Sequence, residues 1–127
     1  MYFKLLQEKI VKNAEGYGKR YGIKIDEDFA LLKLYEEVGE FAQAILIHRN
    51  KCRTEKRLSE VESKNELAKE LADVVGMALV NAHLLNIDLE AVFDEKWFNI
   101  KKAGELPAFL IFLDYSCPRW KRTKRFI

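Results

Sequence analysis

The chain has 127 residues, of which 49% are hydrophobic and 33% charged, which is typical of one globular domain with enough apolar side chains to form a core. Six Gly and two Pro are too few for a collagen-like, linker-rich or many-turned all-β chain, and the apolar content is too high for disorder. The two cysteines lie far apart without a CxxC motif, so we expect neither a disulfide framework nor a zinc site but a reducing, cytoplasmic location.

The first half of the chain predicts two helices. The first runs from about Tyr2 to Glu15, and three glycines follow it. The second runs from about Asp28 to Arg49, with Asp26 or Asp28 as its N-cap. Its helical wheel predicts one main apolar stripe, and because other apolar residues fall off this stripe, we expect burial on more than one side. The stripe consists of Leu31, Leu34, Val38, Phe41 and Ile45.

A polar connection from Asn50 to about Arg57 separates the second helix from a third. Two capping boxes compete to start the third helix, Ser59-x-x-Glu62 and Ser63-x-x-Glu66. The helix continues to about Leu85 and is apolar on most sides, more than a lone chain of this size needs to bury. We therefore predict a homodimer or homotetramer.

Asp88 predicts the start of a fourth helix, from Leu89 to about Ala103, which Gly104 and Pro107 end. The fold class predicted is thus all-α, a four-helix-bundle-like core completed by homo-oligomerisation. We assign residues 1–106 to this single domain and residues 107–127 to an apolar segment and a basic tail.

Residues 107–127 are harder to interpret. The apolar run PAFLIFL at 107–113 fits a strand, a packed helical turn or an oligomer contact, and it is much too short to span a bilayer. Residues 114–127 carry five basic side chains and one acid. Because the rest of the chain leans acidic, this pattern disfavours a dedicated nucleic-acid domain, and we expect no membrane or nucleic-acid partner.

Five carboxylates are the most informative feature of the chain. They occur at helical spacing in two apolar segments, KLYEEVGEFAQAI and KELADVVGMAL, where surface charges are not normally placed. Like charges at this spacing repel one another, so a divalent cation would compensate them. The five residues are Glu36, Glu37, Glu40, Glu70 and Asp73.

The two acidic groups would meet in an antiparallel hairpin. Glu40 and Glu70 each lie about 15 Å from the predicted connection, at 1.5 Å per residue. Oxygen ligands from facing helices suit Mg²⁺, with Mn²⁺ as the alternative. Iron is disfavoured because neither His48 nor His83 has a Glu three residues before it, and we expect both histidines in the core or at its rim.

The spacing of these acids resembles the MazG-like branch of the all-α nucleotide pyrophosphohydrolases, whose signature is EExxE followed by ExxD. The likeness covers roughly residues 28–104, including the stretch NIDLEAVFDEKWFNIKK. The connection between the motifs, residues 41–69, is at or slightly beyond the upper end of the usual length. The segment after Gly104 has no known counterpart.

The resemblance implies cleavage of a nucleoside triphosphate between its α and β phosphates, with Mg²⁺. It implies that Glu37, Glu40, Glu70 and Asp73 ligate the metal. Glu36 and Glu37 are the catalytic candidates; Glu36 either orients or deprotonates the attacking water or pairs with a lysine at the edge of the site.

The fourth helix supplies the candidates for phosphate contacts, which are Lys96, Asn99, Lys101 and Lys102. The resemblance suggests removal of non-standard or excess nucleotides, but no motif encodes the base or the sugar. Two alternatives stay open: a non-catalytic helical oligomer with a structural metal site, and a nucleic-acid or partner-binding module that uses the basic tail.

Overall fold

The structure, a computed structural model, describes residues 2–98, and these residues contain helices and short connections but no strand. The predicted all-α class with four helices is confirmed. A 3₁₀ turn, Thr54–Lys56, lies between the second and third helices. The helices are α1 Tyr2–Tyr21, α2 Glu27–His48, α3 Glu60–Leu84 and α4 Leu89–Phe93, which continues as a π-helical turn, Asp94–Phe98.

Helix α1 is longer than predicted, because the helix continues through Gly16 and Gly18 to Tyr21. It ends at Gly22, whose φ of +65° is a left-handed conformation, and the Ile23 amide donates to the Gly18 carbonyl at 2.9 Å. This is the bond of a Schellman cap. Of the three glycines in this region, only the last, Gly22, ends the helix.

Helix α2 begins as expected, since the Asp26 carboxylate accepts from the Phe29 amide at 2.9 Å. Its buried line differs from the predicted stripe. Ala30, Glu37 and Ala44 are the buried residues, whereas Leu31 and Val38 of the predicted stripe are exposed. The two alanines recur two turns on either side of Glu37 and allow close approach of a neighbouring helix.

Helix α3 uses the first of the two competing capping boxes. The Ser59 hydroxyl accepts from the Glu62 amide, and the Glu62 carboxylate accepts from the Ser59 amide. Ser63, the competing cap, is instead buried within the helix, with its Oγ 2.8 Å from Nδ1 of His48. His48 thus has a partner that the sequence did not reveal.

Two side-chain contacts define the packing of α2 on α3. Near one end the Asn81 amide donates to the Ala30 carbonyl at 2.8 Å, and near the other His48 contacts Ser63. The two contact positions on α2, residues 30 and 48, are as far apart in sequence as the two on α3, residues 63 and 81. Both contacts therefore fit one antiparallel register of the two helices. Helix α1 packs mainly against α3, where the Gln7 amide donates to the Leu79 carbonyl at 3.1 Å.

The described residues form two compact units that divide between Ile87 and Asp88. The first contains α1 to α3. The second begins with α4, which the Asp88 carboxylate caps by accepting from the Ala91 amide at 3.1 Å. The predicted boundary of the domain at residue 106 lies outside the described residues.

Within residues 2–98, no single helix is both long and apolar enough to cross a membrane; Glu60–Leu84 and Leu89–Phe98 meet the criteria of length and composition only when taken together. Many large apolar side chains of α2 and α3 are exposed, and these include Leu32, Tyr35, Leu71 and Val75. This surface agrees with the surplus of apolar residues in the sequence. The homodimer or homotetramer stays a prediction.

Two glycines of α1 offer a matched test of this packing. A Cβ at Gly18 would lie 2.6 Å from the Ile23 carbonyl oxygen, whereas a Cβ at Gly16 would meet nothing within 4 Å. We expect Gly18→Ala to lower the free energy of unfolding by about 1–3 kcal/mol, and Gly16→Ala to raise it by up to about 1 kcal/mol. Urea denaturation measures both changes. Equal effects of the two substitutions would contradict the close approach at Gly18.

Candidate metal and active site

Three carboxylates from α2 and α3 meet at one point. Glu37, Glu70 and Asp73 each offer an oxygen within 4.8 Å of the others. The antiparallel register produces this meeting, because it sets the middle of α2 level with the middle of α3. Glu37 is only 7% exposed, Glu70 is half-buried and Asp73 is exposed. We call these three residues the carboxylate triad.

Glu36 lies beside the triad and has a cationic partner. The Lys33 ammonium is 2.9 Å from Glu36 Oε2 and 3.1 Å from Glu37 Oε1. The hydrogen bond to Glu36 raises the pKa of Lys33, and the contact with Glu37 adds to this shift. Lys33 therefore stays charged and neutralises part of the charge on α2. The spacing of three and four residues from Lys33 to the two acids is a sequence signal for this contact.

Glu70 is the least compensated member of the triad. Its Oε2 is buried and has no hydrogen-bond partner within the described part of the chain. Burial raises the pKa of Glu70, and the charges of Glu40, Asp73 and Glu37 raise it further. A buried carboxylate oxygen normally has a partner, so the environment of Glu70 favours a bound cation.

Glu40 is a further acidic neighbour of Glu70. It is not within the group of three, but its charge is the largest electrostatic cause of the raised pKa of Glu70. Both residues line a pocket of about 240 Å³ together with Glu66 and Ser63. Of the five predicted acidic residues, Glu37, Glu40 and Asp73 are therefore neighbours of Glu70. The fifth, Glu36, pairs with Lys33.

The donor set fits a hard divalent cation. All three triad side chains are carboxylates, and Mg²⁺ and Mn²⁺ prefer oxygen ligands, with water or phosphate oxygens at the remaining positions. Oε2 of Glu70 has no donor among residues 2–98 and is therefore available to a cation. The acidic group is thus compatible with a metal site.

The predicted phosphate contacts on the fourth helix are Lys96, Asn99, Lys101 and Lys102. Lys96 is exposed and belongs to the second unit, on the π-helical turn Asp94–Phe98. Asn99, Lys101 and Lys102 lie outside the described residues. Their role in binding substrate stays a prediction.

A larger pocket, of about 560 Å³, adjoins the triad and is bounded by α1, α2 and α3. Lys33, Glu37 and Asp73 line it, so the pocket and the triad share side chains. Helix α1 contributes Lys9, Asn13 and Tyr17, which the sequence analysis missed. The signal available was their four-residue spacing, which places three polar side chains on one face of α1.

Comparison with protein families gives one match. The family model described as phosphoribosyl-ATP pyrophosphohydrolase matches residues 4–96. The chain belongs to this family. Phosphoribosyl-ATP pyrophosphohydrolases are part of the MazG-like all-α NTP pyrophosphatase superfamily, so the resemblance predicted from the two acidic motifs is confirmed.

Family membership also makes the chain an enzyme, a pyrophosphohydrolase that acts on acid anhydrides, as predicted. The matched residues include all of α2 and α3, and therefore the whole carboxylate triad, and α1 from residue 4 onward. A nucleotide-type substrate follows from the family. Comparison with curated proteins and with solved structures gives no significant match.

If the triad binds a metal, Glu70→Gln should change thermal stability in opposite directions without and with the metal. Glu70→Gln keeps the shape of the side chain but removes a charge, so without metal we expect the melting temperature to rise. With saturating Mn²⁺ the wild type gains stability, about 2.7 kcal/mol at 100 times the dissociation constant, and the variant gains much less. Thermal melting in EDTA and in Mn²⁺ measures both effects.

Glu66→Gln is the matched control, because Glu66 lies one turn before Glu70 but pairs with Lys69 at 2.6 Å. It should keep the stabilisation by Mn²⁺. If Glu70→Gln and Glu66→Gln respond alike to the metal, Glu70 is not a ligand.

Proposed function

We propose that the chain hydrolyses the bond between the α and β phosphates of a nucleoside triphosphate, with release of pyrophosphate and the nucleoside monophosphate. The observation that carries this proposal is the meeting of Glu37, Glu70 and Asp73 within 4.8 Å in a member of a pyrophosphohydrolase family. A triphosphate carries about four negative charges, so a cluster of carboxylates can bind it only through bridging cations.

We assign Mg²⁺, or Mn²⁺ in its place, to Glu37, Glu70 and Asp73, with Glu40 as a fourth ligand. Bound there, the ion would neutralise phosphate charge and polarise the attacked phosphorus. Glu40 lines a pocket together with Glu70, which supports its inclusion as a ligand. These assignments follow the EExxE and ExxD motifs.

The attacking water needs a group that orients it and accepts its proton. Glu36 and Glu37 are our candidates. As the oxygen of water bonds to the α phosphorus, the bond to the bridging oxygen breaks and pyrophosphate leaves, while a carboxylate takes the proton. Lys33 holds both candidates at about 3 Å, so we assign it the task of fixing their orientation.

We propose phosphoribosyl-ATP as the first substrate to test, because it gives the matching family its description. Canonical and modified NTPs and dNTPs are the alternative substrates, and their hydrolysis would indicate removal of excess or non-standard nucleotides. We also propose that the active form is a homodimer or homotetramer, since large apolar side chains of α2 and α3 are exposed in the single chain.

The proposal predicts metal-dependent release of pyrophosphate. We expect release from at least one nucleotide of the panel with Mg²⁺ or Mn²⁺ and none in EDTA. Glu37→Gln, Glu40→Gln and Asp73→Asn should each lower kcat by at least about 100-fold, because each removes a ligand charge. A coupled assay for pyrophosphate measures the rates.

Glu66→Gln serves as control and should keep the wild-type rate, since Glu66 pairs with Lys69. The fold of each variant is checked by circular dichroism and its assembly by gel filtration. The proposed activity would be rejected if no nucleotide of the panel released pyrophosphate. The proposed ligands would be rejected if the three substitutions left the rate of pyrophosphate release unchanged.

A further inference from the structure

The positive charge of the first unit is concentrated at one end of the α2–α3 pair. Residues 49–57, which connect the two helices, carry five basic side chains and one acidic side chain. The rest of residues 2–87 carries nine basic and thirteen acidic side chains, so the two parts have opposite net charges. We call residues 49–57 the basic loop. Its basic residues are Arg49, Lys51, Arg53, Lys56 and Arg57.

All five basic side chains of the loop are exposed, and none forms an ion pair with a residue from 2 to 98. Lysines on the helices differ in this respect, since Lys33 and Lys69 each contact a glutamate within one helical turn. No acidic side chain neutralises the loop at contact distance, so its positive potential extends into the solvent.

The backbone of the loop fixes the positions of these charges. Asn50 has a φ of +54°, and the Lys51 amide donates to the Leu46 carbonyl at 2.7 Å, as in a Schellman cap. In the 3₁₀ turn that follows, the Arg57 amide donates to the Thr54 carbonyl at 3.2 Å. The basic side chains therefore project from a hydrogen-bonded backbone.

The basic loop is close to the triad. His48, the last residue of α2, contacts Ser63 of α3 beside the loop. Ser63 lies seven residues before Glu70, which is about 10 Å along the helix. Leu58, the residue after the loop, lines the same pocket of about 240 Å³ as Glu70. The nearest charges of the loop are therefore within electrostatic range of the triad.

An anionic substrate needs such an attraction, because the site itself is built from carboxylates. Charges separated by about 10–15 Å interact strongly at an ionic strength of about 0.01 M, where the Debye length is about 30 Å. At about 0.15 M the Debye length is about 8 Å, and part of the interaction remains. Fields of this kind raise the association rates of charged ligands by about 10- to 1,000-fold.

We propose that the basic loop guides the anionic substrate to the triad and raises its association rate through the field of the loop. This inference rests on the proposed function, since it takes the substrate to be a nucleoside polyphosphate that binds at the triad. A nucleic acid is a less suitable ligand, because residues 49–57 contain no aromatic side chain on which bases could stack.

The test combines Lys51→Gln, Arg53→Gln and Lys56→Gln in one neutral variant, which removes three charges of the loop. Stopped flow measures association of α,β-methylene ATP, which cannot be cleaved between its α and β phosphates, at saturating Mn²⁺. We expect the association rate to fall about fivefold at an ionic strength of about 0.01 M. At about 0.5 M the neutral variant and the wild type should agree within about 1.5-fold.

Mn²⁺ alone gives a readout of opposite sign. The field of the basic loop repels a cation, so at low ionic strength the neutral variant should bind Mn²⁺ about two- to fivefold more tightly than the wild type. Damage to the fold or to the triad would weaken binding of both ligands. The opposite changes therefore distinguish a loss of charge from a structural defect.

A variant that keeps the charges is the matched control. Lys51→Arg, Arg53→Lys and Lys56→Arg together change the shape and hydrogen-bonding geometry of the three side chains but not their charge. This variant should match the wild type in nucleotide association and in Mn²⁺ affinity at every ionic strength.

Three results would overturn the guiding role of the loop. The neutral variant could associate at the wild-type rate at low ionic strength, its defect could persist at about 0.5 M, or the charge-preserving variant could share that defect. Loop-dependent binding of a single-stranded oligonucleotide, with unaltered association of the nucleotide, would also overturn it and assign the loop to nucleic acid.

The outcomes separate this inference from the proposed function. If the wild type releases pyrophosphate but the loop does not affect nucleotide association, the guide is overturned and the function stands. If no nucleotide is cleaved but association of α,β-methylene ATP depends on the charges of the loop, the function is rejected and the guide stands. If the wild type neither binds nor cleaves nucleotides, both are overturned.

Discussion

Repulsion among the carboxylates of α2 and α3 is the constraint on which the rest of the molecule depends. Two unit charges about 5 Å apart repel by about 3 kcal/mol at an effective dielectric constant of about 20, and by less where solvent screens them. Three such pairs would remove much of the about 5–15 kcal/mol that stabilises a typical domain. Among residues 2–98, the ion pairs of Lys33 are with Glu36 and Glu37. Burial and acidic neighbours raise the pKa of Glu70, so a bound cation would stabilise its charged form.

The packing of α2 on α3 holds the repelling groups together. Asn81 on Ala30 and His48 with Ser63 join the two helices near their ends in one register, and the triad lies between these contacts. The alanines that flank Glu37 in the buried line of α2 bring the helices close. Stability gained at the two ends thus offsets the electrostatic cost at the middle, and the metal would remove that cost when it binds.

Much of this arrangement could be predicted from the sequence because it depends on local signals. Helical periodicity gave α2 and α3 to within a few residues, and the spacing of Glu37, Glu70 and Asp73 identified the acidic group. The buried stripe of α2 was predicted wrongly at Leu31 and Val38, which are exposed, whereas Leu34, Phe41 and Ile45 are half-buried. A helical wheel weights large apolar residues, and here the most buried apolar residues are the small Ala30 and Ala44. The pocket wall of α1 was missed because it depends on how α1 packs against α3, which no local pattern encodes.

The central claim is that Glu37, Glu70 and Asp73 bind one divalent cation between α2 and α3. Crystals grown with Mn²⁺ and measured at a wavelength where manganese scatters anomalously would locate the ion directly. The account predicts an anomalous peak at about 2.0–2.3 Å from an oxygen of each of these three residues. A peak elsewhere, or a well-ordered triad without a peak at saturating Mn²⁺, would contradict it.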